Sequence, residues 1–489
     1  MHKVTKSIFL KSFSNFIAIG LGLFTSVLLS RYLGKENYGL LIILYSVIGF
    51  FAGFTDLGTR WTFNRFIPKL LASHDQIECR RLVITGFIIQ LIGLAIFSAI
   101  IFFFADLIST FFHKKELIFL LKIGIVYFIS FSLVNLIIQL FQGLQDWRKE
   151  SLINIIFPLF FTLSILTLVF IFKNINIKNV ILANACAAIL SFLISIFFIP
   201  KYILSKPYIS FFEFKDKVNL IFLFGAPMLL GQFNFFLNGW FDKIFIGRYC
   251  KAEDLAFYYI AFLFFNGLIM VVKIIETVLK PFIAGIVLDN RDDIKRRFQL
   301  IFRWFMHFSI FLSLISFFLI SPIVKILYGR EYQPTIFLFR LSLATFILRS
   351  LIITYGIFMV NVFNRTKGSA ILTTFLTVSN IIFNIIFIPR FGIIGGIYAG
   401  IFSYVVYWLA IIFSVDFVRS MAPILSIFKV IPMLIFIIII NYVALFFGFY
   451  NLFIMCIVSL VSYIVLMNTF GEFKEADLCL IKSMVKWKK

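Results

Sequence analysis

In "VVKIIETVLKPF" (271–282) the residues Lys273, Glu276, Thr277 and Lys280 stand at i, i+3, i+4 and i+7 inside an otherwise apolar run. On a helix that spacing gathers them on one face. Another apolar run, "NFFLNGWFDKIFIGRY" (234–249), holds Asn234, Asn238 and the adjacent pair Asp242 and Lys243. Arg303 and His307 stand four apart, Arg349 interrupts a further run, and Asp56 and Arg60 stand four apart near the end of an early one. The chemistry such a set can do is anion binding. Arg and Lys match phosphate oxygens, and amides match hydroxyls. No HExxH, CxxC or GxxxxGK[ST] pattern accompanies them, so no catalytic residue, metal or cofactor is expected.

Each residue also has a plainer reading. Lys280 and Arg303 can snorkel to an interface. His307 can be a packing residue, and Asn234 and Asn238 can join helices. Lys273 and Glu276 can form an intrahelical ion pair. Arg349, near mid-run, is the hardest to dismiss, because a charge there is costly unless it faces a cavity or a partner.

The elements that must hold these residues follow from composition. Of 489 residues 62% are hydrophobic and only 14% charged, which excludes a soluble domain of this length. The net charge of +23 is read as basic loops that set topology and meet anionic lipid, not as a nucleic-acid surface. Apolar runs of spanning length lie near 8–30, 39–58, 82–105, 117–140, 152–172, 180–200, 218–246, 256–280, 298–320, 335–362, 369–388, 394–415, 427–448 and 452–469. The expectation is therefore an all-α polytopic membrane protein with 14 transmembrane helices. The basic start leads straight into the first span, which reads as retained. With both termini on the cytoplasmic side, 29 Lys and Arg fall inside and 14 outside, the orientation the positive-inside rule favours.

The two halves repeat. Arg31, Tyr32 and Glu36 recur 217 residues later as Arg248, Tyr249 and Glu253, and Arg80–Arg81 recurs as Arg296–Arg297. Six spans fill each copy. An even number puts both copies in the same orientation, a parallel repeat of the kind found in transporters that rock around a central cavity. The expected organisation is a six-helix lobe (1–200), a cytoplasmic linker (201–217), a second six-helix lobe (218–420), and two further helices with a basic tail (421–489). No loop is long enough to be a catalytic domain.

The span number, the repeats, and "GAPMLLGQFNFFLNGWFDKIFIGRYCKAEDLAFY", "LSRYLGKENYGLL" and "FTDLGTRWTFNRFIPK" resemble the polysaccharide-exporter branch of the multidrug/oligosaccharidyl-lipid/polysaccharide superfamily, and within it the O-antigen and capsule flippases of the Wzx type. That resemblance implies a two-lobed bundle like that of the multidrug transporters of the superfamily, in a bacterial cytoplasmic membrane. It implies export of polyprenyl-pyrophosphate-linked oligosaccharide by alternating access, without enzyme activity. The implied partners are the lipid-linked substrate, membrane lipid, and the polymerase and glycosyltransferases of the same pathway. The alternatives are a multidrug or cation antiporter, which needs a buried carboxylate and fits the net basic set less well, and a membrane glycosyltransferase or polymerase, whose loops and acidic motifs are not seen.

Under that reading Lys243, Lys273, Arg349, Arg60, Arg303 and Asn238 are the substrate-binding candidates. The repeat offset carries Lys273 onto Asp56, and Glu276–Thr277 onto Thr59–Arg60. Opposite signs at related positions suggest a gate of ion pairs, Asp56 with Lys273 and Arg60 with Glu276. An Asp56–Arg60 pair within one helix is the competing arrangement. Asp242 is expected to lower the cost of Lys243 at an outer station, where only one of the two adjacent side chains faces the cavity.

Overall fold

The computed structural model describes residues 2–205, 210–284, 291–361, 363, 366–414 and 452–469. Among them every regular element is a helix. In hydrocarbon each backbone N–H and C=O needs a partner within its own segment, and a helix supplies it. Ten of these helices are long and apolar enough to cross a membrane. Each segment expected from the sequence coincides with a helix, except 427–448, which lies outside the described residues together with the basic tail.

The chain begins with α1 (His2–Leu33), α2 (Lys35–Ala52), α3 (Thr59–Ala72), α4 (Gln76–Phe103), α5 (Ala105–Phe112) and α6 (Leu117–Gly143). Then come α7 (Trp147–Leu166), α8 (Ile177–Ile196), the short α9 (Lys201–Leu204) and the long α10 (Phe211–Tyr249). They are followed by α11 (Ala252–Ala284), α12 (Arg291–Leu327), α13 (Gln333–Asn361), α14 (Thr366–Phe391), α15 (Ile393–Ser414) and α16 (Leu452–Thr469). Side chains cap four of the helix starts. Asp75, Asp146 and Asn176 accept the backbone N–H three residues on, and Ser210 with Glu213 forms a reciprocal capping box.

One boundary differs from expectation. The second span stops at Ala52 and does not run to residue 58. Leu57 and Gly58 adopt left-handed backbone conformations, with φ of 45° and 88°. The Asp56 carboxylate accepts the Gly58 N–H at 3.1 Å and so fixes the turn. A new helix, the amphipathic α3, starts at Thr59 and carries Arg60 in its first turn. Asp56 therefore sits in a turn, and the same-helix i, i+4 arrangement with Arg60 does not exist.

Packing divides the chain into two compact units, Met1–Ile260 with Asn384–Gly396, and Ala261–Phe383 with Ile397–Lys489. This division is distinct from the repeat boundaries, since the seventh-span helix α10 packs within the first unit. The first unit has a core of Phe63 and Ile67 from α3, Leu82 from α4, and Ile137 and Phe141 from α6. Its α10 is tied down at three places. Near the start, Glu213 meets Arg81 at 2.7 Å and Lys217 meets Glu78. The Ser210 N–H and the nearby Arg81 hold the Glu213 carboxyl below its usual range. Near the finish, the Lys114 ammonium donates to the Gly247 carbonyl at 2.8 Å, and Arg248 donates to the Phe111 carbonyl at 2.9 Å. Burial pushes the Lys114 ammonium below the usual lysine range. Between these ends, α10 touches the α2–α3 turn backbone to backbone. A Cβ on Gly225 would stand 2.7 Å from the Cα of Gly58.

The second unit is built around Phe265 and Val272 of α11, Phe298 and Phe302 of α12, Phe346 and Phe358 of α13, and Tyr463 of α16.

Candidate functional site

The first unit contains a cavity of about 660 Å³ at the ends of three of its helices, α3, α6 and α7. Lys11 reaches it from α1, and Arg60, Trp61 and Asn64 from the first turns of α3. Gln142 from the last turn of α6, Gln145 from the following turn, Trp147 from the start of α7 and Gly231 of α10 complete the wall.

Local structure explains why these residues meet. α6 ends at Gly143, and the chain reverses through Gln145, which adopts φ 55°. The Asp146 carboxylate then caps α7 through the Lys149 N–H at 3.2 Å. Trp147 is thereby the first residue of α7, while Arg60 and Trp61 lie in the first turn of α3. Both helix N-termini border the cavity, and each adds partial positive charge to that of the cations. A buried amide chain braces α3 from beneath. Gln90 of α4 donates to the Thr59 hydroxyl and, at 2.6 Å, to the Gln139 side chain one turn before Gln142.

The polar wall is a connected network. Arg60 Nε donates to Gln142 Oε1 at 3.3 Å, and Gln142 Nε2 donates to Glu150 Oε1 at 3.0 Å. The Lys11 ammonium meets the same Glu150 oxygen at 3.3 Å and lies 4.7 Å above the Trp147 ring. One turn farther along, Asn154 of α7 donates to Asn15 of α1 at 2.8 Å. Two cations, two helix N-termini, two indoles and three amides suit a ligand with a compact anionic group and hydroxyl-rich surroundings.

Arg60 is the residue of this wall that sequence reasoning singled out. Asp56 is buried just before it, in the turn that starts α3. Lys243 is 0% exposed. Its ammonium bends back to the Gly239 carbonyl at 2.5 Å and the Asp242 carboxylate at 3.1 Å, and Asp242 also accepts the Tyr258 hydroxyl at 2.6 Å. The length of the lysine side chain brings the two adjacent residues together despite their divergence on the helix. Asn238 lies in α10, with its side chain outside the described residues. The other candidates belong to the second unit. There Lys273 and Glu276 lie on α11, Arg303 is buried on α12, and the Arg349 guanidinium lies 5.8 Å from the Phe265 ring. His307 of the same unit packs against Tyr463, with its Nδ1 at 2.6 Å from the hydroxyl.

Lys11, Trp61, Asn64, Gln142, Gln145, Trp147 and Glu150 were not read from the sequence. For the last four the signal is the polar density of "QGLQDWRKE" (142–150), which is also what an ordinary interfacial loop looks like.

Residues 4–287, more than half of the chain, match the family described as polysaccharide biosynthesis protein. An uncharacterized membrane protein of Methanocaldococcus jannaschii is 21% identical over 438 residues, 83% of each chain. Among solved structures, the lipid II flippase MurJ in an inward closed conformation matches with a TM-score of 0.68 at 19% identity, over 95% of this chain and 99% of that one. An inward-facing multidrug resistance MATE family transporter of the MOP superfamily matches at 0.67 and 14% identity, over 82% and 95%. A MOP superfamily transporter from Pyrococcus furiosus matches at 0.54 and 16% identity, over 83% and 94%. At these identities the structural likeness is one of fold.

Proposed function

The chain belongs to the polysaccharide biosynthesis protein family, and from that premise we propose that it is a flippase for polyprenyl-pyrophosphate-linked oligosaccharide repeat units of the O-antigen or capsule type. It is a multi-pass membrane protein with the fold of the multidrug/oligosaccharidyl-lipid/polysaccharide superfamily. The observation that carries the proposal is the cavity of the first unit. Its Lys11 and Arg60 suit the phosphates, and Trp61, Trp147 and the flanking amides suit a sugar. A cationic drug would find two cations in the same wall, which disfavours the multidrug reading. The match in fold to a lipid II flippase, whose named substrate is a lipid, agrees with this.

Translocation is by alternating access between repeat halves 1–200 and 218–420, in the bacterial cytoplasmic membrane with both termini inside. Lys273, Arg303, Arg349 and Asn238 serve the second half of the path. Lys243 contacts substrate after Asp242 releases it. Deleting the gene is expected to abolish surface polysaccharide while lipid-linked repeat units accumulate on the cytoplasmic face. Normal surface polymer in the deletion strain would overturn the assignment.

The gate of ion pairs, Asp56 with Lys273 and Arg60 with Glu276, belongs to the same proposal. Asp56→Lys and Lys273→Asp should each lower flipping in proteoliposomes about tenfold or more, and the double exchange should recover part of it. Partners of one charge pair couple non-additively, so such rescue is the diagnostic result. Additive losses would remove the gate and leave Asp56 as the residue that fixes the α2–α3 turn.

A further inference from the structure

Among the described residues Glu150 is the one carboxylate in the polar network of the cavity, and the diphosphate of the ligand proposed above gives an anion no reason to be there. It is 5% exposed and lies behind Lys11 and Gln142, which both line the cavity. Lys11 and Gln142 share its Oε1, while its Oε2 is buried with no hydrogen-bond partner. A desolvated carboxylate oxygen is an acceptor in want of a donor. Phosphate oxygens cannot meet that want, whereas sugar hydroxyls and acetamido N–H groups can. Trp147 stands one helical turn before Glu150 on the same face of α7, and its ring is covered by the same Lys11 ammonium.

Lys11 thus covers two groups at once, an aromatic face and an acceptor, which are the two groups that bind a sugar ring. We propose that Glu150 and Trp147 form the subsite for the sugar joined to the diphosphate, and that Lys11 shields this subsite until a diphosphate takes its ammonium. Drawing Lys11 toward phosphate uncovers the indole face for stacking and leaves the carboxylate short of a donor that the adjoining sugar supplies. The phosphate end is then held beside α1 and α3, and the sugar beside α7. A bare polyprenyl diphosphate gains only the first contact. The subsite so described rests on the flippase reading above.

The test uses the full-length protein in nanodiscs with two probes, a polyprenyl diphosphate and the same lipid carrying one N-acetylglucosamine. The wild type is expected to bind the sugar-bearing lipid about tenfold more tightly, the worth of a hydrogen bond to a charged acceptor. Glu150→Gln should bring that ratio close to one while raising affinity for the bare diphosphate, because Lys11 is no longer held back. Trp147→Ala should erase the same ratio by removing the stacking face, which keeps the test available if one variant fails to fold. Lys11→Ala should weaken both lipids. A wild-type ratio near one, an unchanged ratio in Glu150→Gln, or equal losses for both lipids in that variant would each overturn the proposal. If the wild type binds neither lipid, the flippase reading itself fails.

Discussion

Arg60→Glu is expected to lower affinity for a polyprenyl diphosphate at least a hundredfold without lowering the melting temperature. Arg60 is exposed at the start of α3 and lines the cavity, so its side chain can change without opening the core. Its Nε is spent on Gln142, which orients the guanidinium and leaves two NH₂ groups for bidentate contact with a phosphate. A charge pair near 4 Å in an environment of effective dielectric 20 is worth about 4 kcal/mol. Reversal replaces that attraction by repulsion, so the loss should reach about 3 kcal/mol even after solvent relaxes around the new carboxylate. Arg60→Lys keeps the charge and loses the fork, and should fall between the two. Lipid binding in nanodiscs, with thermal melting measured on the same samples, checks both. Retained affinity in Arg60→Glu would move the phosphate site away from this cavity.

Gly58→Val should prevent accumulation of folded protein. Gly58 has φ 88°, and the place its Cβ would take is already occupied by the backbone of Gly225. A left-handed conformation costs an L-residue about 1–2 kcal/mol, and a β-branched side chain more. Overpacking adds about 1–3 kcal/mol, and here the obstacle is backbone, which cannot rotate aside. The combined cost of about 3–5 kcal/mol is a large fraction of the roughly 5–15 kcal/mol by which domains are stable. Gly225→Ala meets the same contact from the α10 side, with a Cβ 2.7 Å from the Gly58 Cα and 2.9 Å from its carbonyl oxygen, but without the conformational penalty, and should be milder. Size-exclusion yield and melting temperature in detergent report both. Wild-type melting in Gly58→Val would mean that α10 and the α2–α3 turn part readily.

The sequence made the spans legible because lipid demands long apolar helices and little else. It hid α3 and α5, which are 14 and 8 residues long, too short to cross and mixed in polarity. It also hid the break before α3, since apolar residues continue through Phe54 and Leu57. Gly53 and Gly58 were the available clue. Lys273 and Glu276, of the second unit, could be picked out because a charge in an apolar run is conspicuous, and Arg60, of the cavity wall, through the repeat offset that relates it to them. The rest of the cavity wall could not, for two reasons. Gln142, Gln145 and Trp147 lie where spans end and polar residues are ordinary. The contact that organises them, Lys11 with Glu150, joins residues far apart in sequence, and no local period announces it.

The Asp242–Lys243 pair has a bearing on how this chain is made. A lone lysine in a nascent membrane helix costs up to about 2.5–3.5 kcal/mol to insert, the full figure applying at the helix centre. The Gly239 carbonyl and the Asp242 carboxylate that receive the Lys243 ammonium both belong to α10 itself. The ion pair can therefore form while α10 is still leaving the translocon, before α11 has been synthesised. Only the Tyr258 contact waits for the next helix. Neighbouring positions in the gene thus let the most deeply buried charge of the first unit enter the bilayer already neutralised.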